Sequence, residues 1–131
     1  MDGLILKGYR ALELFYKNDI KGNNIQLALE YNAKTKATFR KKDSTCECFY
    51  DLKVFGKEEE RIALEAHVLI AGLFDIPKDI EQKEVHVAAA NELYPFVRAA
   101  LTGLTSIAAI APLPLPHKTL RIEDLSEENK I

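Results

Sequence analysis

From residue 81 to residue 111 the chain reads EQKEVHVAAANELYPFVRAALTGLTSIAAIA, and the reading of this stretch decides the fold. Leu93, Val97, Ala100, Leu104, Ile107 and Ala111 recur at spacings of four and three, which is one stripe of an α-helix. Pro95 is tolerated only near a first turn. The main helix is therefore expected to start between Asn91 and Tyr94, with a short alanine-rich helix over 84–90 ahead of it. Tyr94, Phe96, Leu101, Ala108 and Ile110 make most of the other side apolar as well. A helix that is apolar nearly all round is expected to be buried nearly all round.

Ahead of residue 81 the apolar residues alternate with period two. Leu4 to Tyr9 opens a strand that continues through Leu12, Leu14 and Tyr16, and Asn18-Asp19 with Gly22-Asn23-Asn24 is turn material. Ile25, Leu27, Leu29 and Tyr31 then alternate with Gln26, Ala28 and Glu30 on a half-buried strand. The basic stretch Lys34, Lys36, Arg40, Lys41 and Lys42 is read as a loop or a solvated strand extension. Cys48, Tyr50, Leu52 and Val54 mark a third strand, residues 56–60 a hairpin connection, and Ile62 to Phe74 a fourth strand. Past Val68 both faces of the fourth strand are apolar, so both should be covered there. Four antiparallel strands followed by helices packed on one face make an α+β domain over residues 1–117. The stretch 118–131 is a polar, acidic tail.

One four-stranded sheet cannot bury both sides of one helix, so a second subunit is expected. Ala99, Ala100 and Gly103 are small enough for close helix approach, and Ala100, Gly103, Leu104 and Ile107 are the expected oligomer interface. The helix should end before Pro112, with 112–116 extended.

This order of elements, with several local motifs, resembles the SecB family of export chaperones. Tyr9 is followed six residues later by Phe15, similar to that family's opening strand. Ile25-Gln26-Leu27-Ala28-Leu29-Glu30 resembles its alternating second strand, and Glu65 with Gly72-Leu73-Phe74 its fourth. The most specific segment is Asn91-Glu92-Leu93-Tyr94-Pro95-Phe96-Val97-Arg98, which resembles the start of the family's main helix. Ala111-Pro112-Leu113-Pro114-Leu115-Pro116 sits where the family has its proline-containing exit. The resemblance spans residues 4 to 116.

The resemblance implies a cytoplasmic, ATP-independent homotetramer, built as a dimer of dimers, that holds unfolded polypeptide clients in apolar grooves. It needs no cofactor and no catalysis. By position, Leu27 and Leu29 match groove residues, and Tyr9, Phe15, Phe74, Phe96 and Leu113 are further candidates. Glu65 matches an acid of the fourth strand with which family members meet the SecA motor, but the first-strand acids fall at Leu12 and Tyr16. The family's amphipathic final helix is replaced by the polar stretch from Lys118. A divergent member tied to one partner, such as a toxin–antitoxin pair, is the alternative.

Other function classes find less support. A net charge of −2 argues against general affinity for nucleic acid or anionic membrane. The opening Met1-Asp2-Gly3-Leu4 lacks the basic start of a signal peptide. The uncharged stretch from Ala99 to Pro116 carries three prolines and is read as buried in protein, without membrane insertion. Cys46 and Cys48 stand two apart on a strand, about 7 Å, too far for an unstrained disulfide, and are read as reduced thiols without metal spacing. His67, His86 and His117 have no carboxylate at a recognisable spacing and are read as structural or surface residues. Hot-dog thioesterases wrap a sheet around an early helix, whereas here the only long helix follows all four strands.

Overall fold

The structure is a computed structural model that describes residues 1–20 and 27–107, with side chains to residue 105. It contains β1 (Ile5–Asn18), β2 (Ala28–Arg40), β3 (Thr45–Glu58), β4 (Arg61–Asp75) and α1 (Gln82–Ile107). The strands form one antiparallel sheet of order β1-β4-β3-β2. Consecutive hairpins join β2, β3 and β4, whereas β1 lies on the far side of β4, so β1 and β2 are the two edges.

Period-two alternation sorts the side chains of β3 and β4 cleanly between faces. Cys46, Cys48, Tyr50, Leu52 and Val54 of β3 join Leu64, Ala66, Val68, Ile70 and Phe74 of β4 on the face beneath α1, all of them buried. Ala89, Ala90, Leu93, Tyr94, Val97 and Leu101 of α1 close the core from above. Burying each of the larger aliphatic side chains contributes about 1.5–3 kcal/mol. Gly72 of β4 lies beneath the helix, where an added Cβ would stand 2.5 Å from Leu93 Cδ2. The missing side chain is what lets α1 sit this close to the sheet.

Two expectations from sequence need correction. Residues 82–107 form one continuous helix of 26 residues with Pro95 inside it, not two helices. Pro95 lies on the exposed side of α1, where solvent limits the cost of the amide it cannot donate. That exposed side carries Glu92, Pro95, Arg98, Ala99, Thr102 and Gly103, so among the described residues the helix is buried on one side only. Of the two alternatives for the basic stretch, the solvated strand holds for Lys34, Lys36 and Arg40, exposed on β2 itself, while Lys41 and Lys42 lie in the adjoining turn. Thr35 and Ala37 between those lysines are buried beneath α1, and this anchors the segment as a strand.

β1 holds a feature that simple alternation misses. Its pairing with β4 shifts between Leu6 and Gly8 and again between Ala11 and Glu13. Each shift inserts one extra residue and inverts the facing of the residues beyond it. Tyr9, opposite Gly72, therefore faces the helix, while Phe15, opposite His67, faces the other way.

Candidate functional site

α1 crosses the sheet obliquely. Near its start, His86 Nε2 lies 2.9 Å from Thr35 Oγ1 of β2, both residues buried. Ten residues on, Phe96 stacks on Tyr9 of β1 with ring centroids 4.1 Å apart. This diagonal covers the second half of β2 and the middle of β1, and leaves the first half of β2 and the later part of β1 open. Leu29 (36% exposed) and Tyr31 (37%) occupy the first opening, and Leu14 (51%) the second. Leu27, half-buried, reaches toward Gly56, whose missing Cβ would lie 3.2 Å from Leu27 Cδ1.

Three phenols line the boundary between the β2 opening and the core. Tyr50 and Tyr94 stand 5.8 Å apart between ring centroids. Burial pushes the Tyr50 hydroxyl up to about 12, with Tyr94 and Cys48 adding to the rise. Burial also raises Tyr94, against the pull of Arg98 and with a contribution from Tyr31. These hydroxyls stay protonated and act as neutral hydrogen-bonding groups beside an apolar surface. Because β1 and β2 are edge strands, backbone amides and carbonyls also lie next to the exposed Leu14, Leu29 and Tyr31. An exposed strand edge flanked by apolar side chains is what an extended polypeptide docks against.

The sequence-expected residues divide by position. Leu27 and Leu29 lie at the β2 opening, while Tyr9 and Phe96 form a stacked pair at the other edge. Phe74 is wholly enclosed in the core and offers no surface, because it faces α1 in the middle of the sheet. Phe15 is exposed on the opposite face. Leu113 and the Ile107 side chain lie outside the described residues, as do His117 and the tail. On the helix, Ala100 and Leu104 pack half-buried against the core, while Gly103 is exposed with nothing within 4 Å of an added Cβ. Glu65 is half-buried on the outer face, between Lys17 of β1 and Phe55 of β3. Leu12 is exposed beside the second register shift, and Tyr16 faces the core, packed against it. Neither supplies a carboxylate.

Sequence reading missed Tyr31 and Leu14 as open apolar positions, and it missed the surroundings of His67. On the outer face His67 Nδ1 lies 2.6 Å from Glu13 Oε1, and Nε2 lies 2.6 Å from Asp51 Oδ1. A ring with both nitrogens against carboxylates can donate to both only as the imidazolium. His67 and its two partners come from three strands, the partners 54 and 16 residues from His67, so no local spacing announces them. Cys46 and Cys48 are buried free thiols on the core face. Among the described residues no group of three His, Cys, Asp or Glu side chains is placed to hold a metal ion. Among them, too, no helix is long and apolar enough to cross a membrane.

An open four-stranded antiparallel sheet of this order, backed by one helix across a single face, is a SecB-like α+β fold. Among solved structures the chain is similar to the SecB-like chaperone Rv1957 of Mycobacterium tuberculosis, in complex with a ChAD peptide from the antitoxin HigA1. The two share 19% identity at a TM-score of 0.63, over 86% of this chain and 89% of that chain. A second neighbour, a protein of unknown function from Streptococcus agalactiae, covers 86% of this chain and 96% of its own at 15% identity and a TM-score of 0.48. No protein-family model matches the chain, and no curated protein matches it in sequence.

Proposed function

We propose that this protein is a SecB-like holding chaperone, a non-enzymatic binder that captures extended, non-native polypeptides without ATP. The observation that carries the reading is the combination of strand edges that no described strand covers with exposed apolar side chains: Leu29 and Tyr31 on β2, Leu14 on β1. Clients would lie along these edges, exchanging solvent exposure for burial at roughly 25 cal/mol per Å². Leu27 would form the inner wall of the β2 site and Tyr9 with Phe96 the floor of the β1 site. Assembly into a homo-oligomer, a dimer or a tetramer, belongs to the same reading. It is supported by the small residues Ala99 and Gly103 on the exposed side of α1 and by the β1 edge, which no further strand covers among the described residues. We place the protein in the cytoplasm.

The test is suppression of aggregation. Several unrelated denatured clients are diluted into buffer with equimolar protein, without nucleotide, and light scattering is followed. Slowed aggregation of all of them, weakened by Leu29→Asp with Tyr31→Asp in a protein that still folds, is the expected result. If no client is protected, the chaperone reading falls.

A second reading is favoured by the Mycobacterium neighbour, which was captured with an antitoxin peptide. Service to one dedicated partner, possessing an extended recognition segment, would use the same edges. It predicts protection of that partner alone. Delivery to the SecA motor has weaker support. Glu65 is on the outer face, but Lys17 is opposite it and Leu12 and Tyr16 supply no acid.

A further inference from the structure

The basic segment around Lys41 plays no part in the client reading, and it lies at the far end of the sheet. Leu29 and Phe39 are ten residues apart along β2, about 33 Å by the strand rise. At the Phe39 end the β2–β3 turn and the connection from β4 to α1 enclose a surface cavity of about 660 Å³. Phe39, Ile76, Ile80 and Val85 give it apolar walls. Val85 is fully buried and Ile80 is 39% exposed, so the walls grade from core to solvent.

Two further observations distinguish this cavity from an incidental hollow. Its shape is held by unusual backbone: Ser44 (φ 52°) and Asp79 (φ 63°), two of the three non-glycine residues with positive φ, both line it. The Ile76 amide donates to the Ser44 carbonyl at 3.0 Å and ties one wall to the other. Left-handed backbone away from glycine persists where the surroundings enforce it, often at binding sites. The lining charge is basic in excess: Lys41 and Lys78, neither with an ion-pair partner among the described residues, stand against the single lining acid Asp79.

We infer that this cavity is a docking site for a short acidic peptide segment of a partner protein, one carrying a large apolar side chain among its carboxylates. The apolar side chain enters between Phe39 and Ile80, and the carboxylates meet Lys41 and Lys78. The site is separate from the client edges, so it would let a client-loaded molecule be held by a second protein. A mixed partner suits the cavity better than a client, because clients are selected for being unfolded and the lysines select for charge.

The test uses the full chain and a fluorescein-labelled peptide of alternating Glu and Leu, with two controls: Glu replaced by Gln, and Leu replaced by Ser. Fluorescence anisotropy is expected to show binding of the Glu/Leu peptide, about tenfold weaker for either control and weaker with added salt. Lys41→Glu with Lys78→Glu, both at exposed positions, should reduce binding by a similar factor with an unchanged circular dichroism spectrum. Ile80→Asp supplies an independent loss. Leu29→Asp with Tyr31→Asp should leave peptide binding unchanged. Equal binding of the Gln control, or full binding by the double lysine variant, overturns the proposal. Loss of binding in the Leu29/Tyr31 variant also overturns it, because the peptide would then be an ordinary client.

Discussion

An added Cβ at Gly72 would lie 2.5 Å from Leu93 Cδ2, and Leu93 is itself fully buried. The contact between sheet and helix therefore has no slack at its centre. Phe74 Cε1 at 3.2 Å and Leu6 Cδ1 at 3.3 Å close the remaining directions. Gly72→Val should force α1 away from β4 and lower stability by about 1–3 kcal/mol. Urea unfolding followed by circular dichroism reads this, and a wild-type midpoint would contradict the packing described.

His86 ties the start of α1 to the edge strand β2 through Thr35. Burial lowers its pKa below the ordinary 6.5, because the charged ring is poorly solvated there. The unfolded chain binds this proton more readily than the folded one. Its contribution to stability is therefore complete above pH 6.5 and is lost as pH falls below that value toward the folded pKa. The melting temperature should drop between pH 7.5 and 5.5, and His86→Asn should flatten part of that slope. An identical slope in the variant would remove His86 from the account.

Burial pushes the Cys46 thiol up to about 12, with Glu47 adding to it, and raises Cys48 further, with Cys46 adding. Neither forms much thiolate near neutrality. Ellman's reagent should react with neither cysteine in the native protein and with both after guanidinium unfolding. Rapid native labelling would show that β3 opens more readily than its packing implies.

Much of the fold is legible in the sequence, and the reason lies in particular strands. Burial alternates from Cys46 to Val54 on β3 and from Leu64 to Ile70 on β4, so spacing assigns Tyr50, Leu52, Val68 and Ile70 to a core. β1 cannot be read in that way. Tyr9 and Phe15, an even number of residues apart, are expected on one face, and the register shift after Ala11 puts them on two. The extra residue has no distinctive chemistry in the sequence. The helix start departs from expectation for a different reason: a proline rule that holds on average is outweighed by the burial of Val85, Ala89 and Ala90 ahead of it. The setting of His67 requires three strands to be in place, and no single segment carries that information.

The open space around Gly103 makes the oligomer reading easy to probe. Glu at this position fits the isolated subunit, and as a better helix former it should raise helix stability by up to about 1 kcal/mol. If α1 meets a second copy there, Gly103→Glu splits the assembly while the subunit melts no earlier. Sedimentation velocity separates the outcomes, and an unchanged sedimentation coefficient would remove this side of α1 from the interface.

The sheet order also sets a schedule for synthesis. Of the four strands β1 leaves the ribosome first, yet β4, the strand it pairs with among the described residues, ends at Asp75, more than fifty residues later. Meanwhile β2, β3 and β4 can zip through short hairpins as each emerges, a low-entropy route that β1 cannot share. Its fourteen residues, with Tyr9, Leu14 and Phe15 among them, must wait unpaired in the nascent chain. On this schedule a protein proposed to shield other chains during their exposed interval passes through such an interval itself, and Tyr9 reaches its resting place on Phe96 only once α1 has been made.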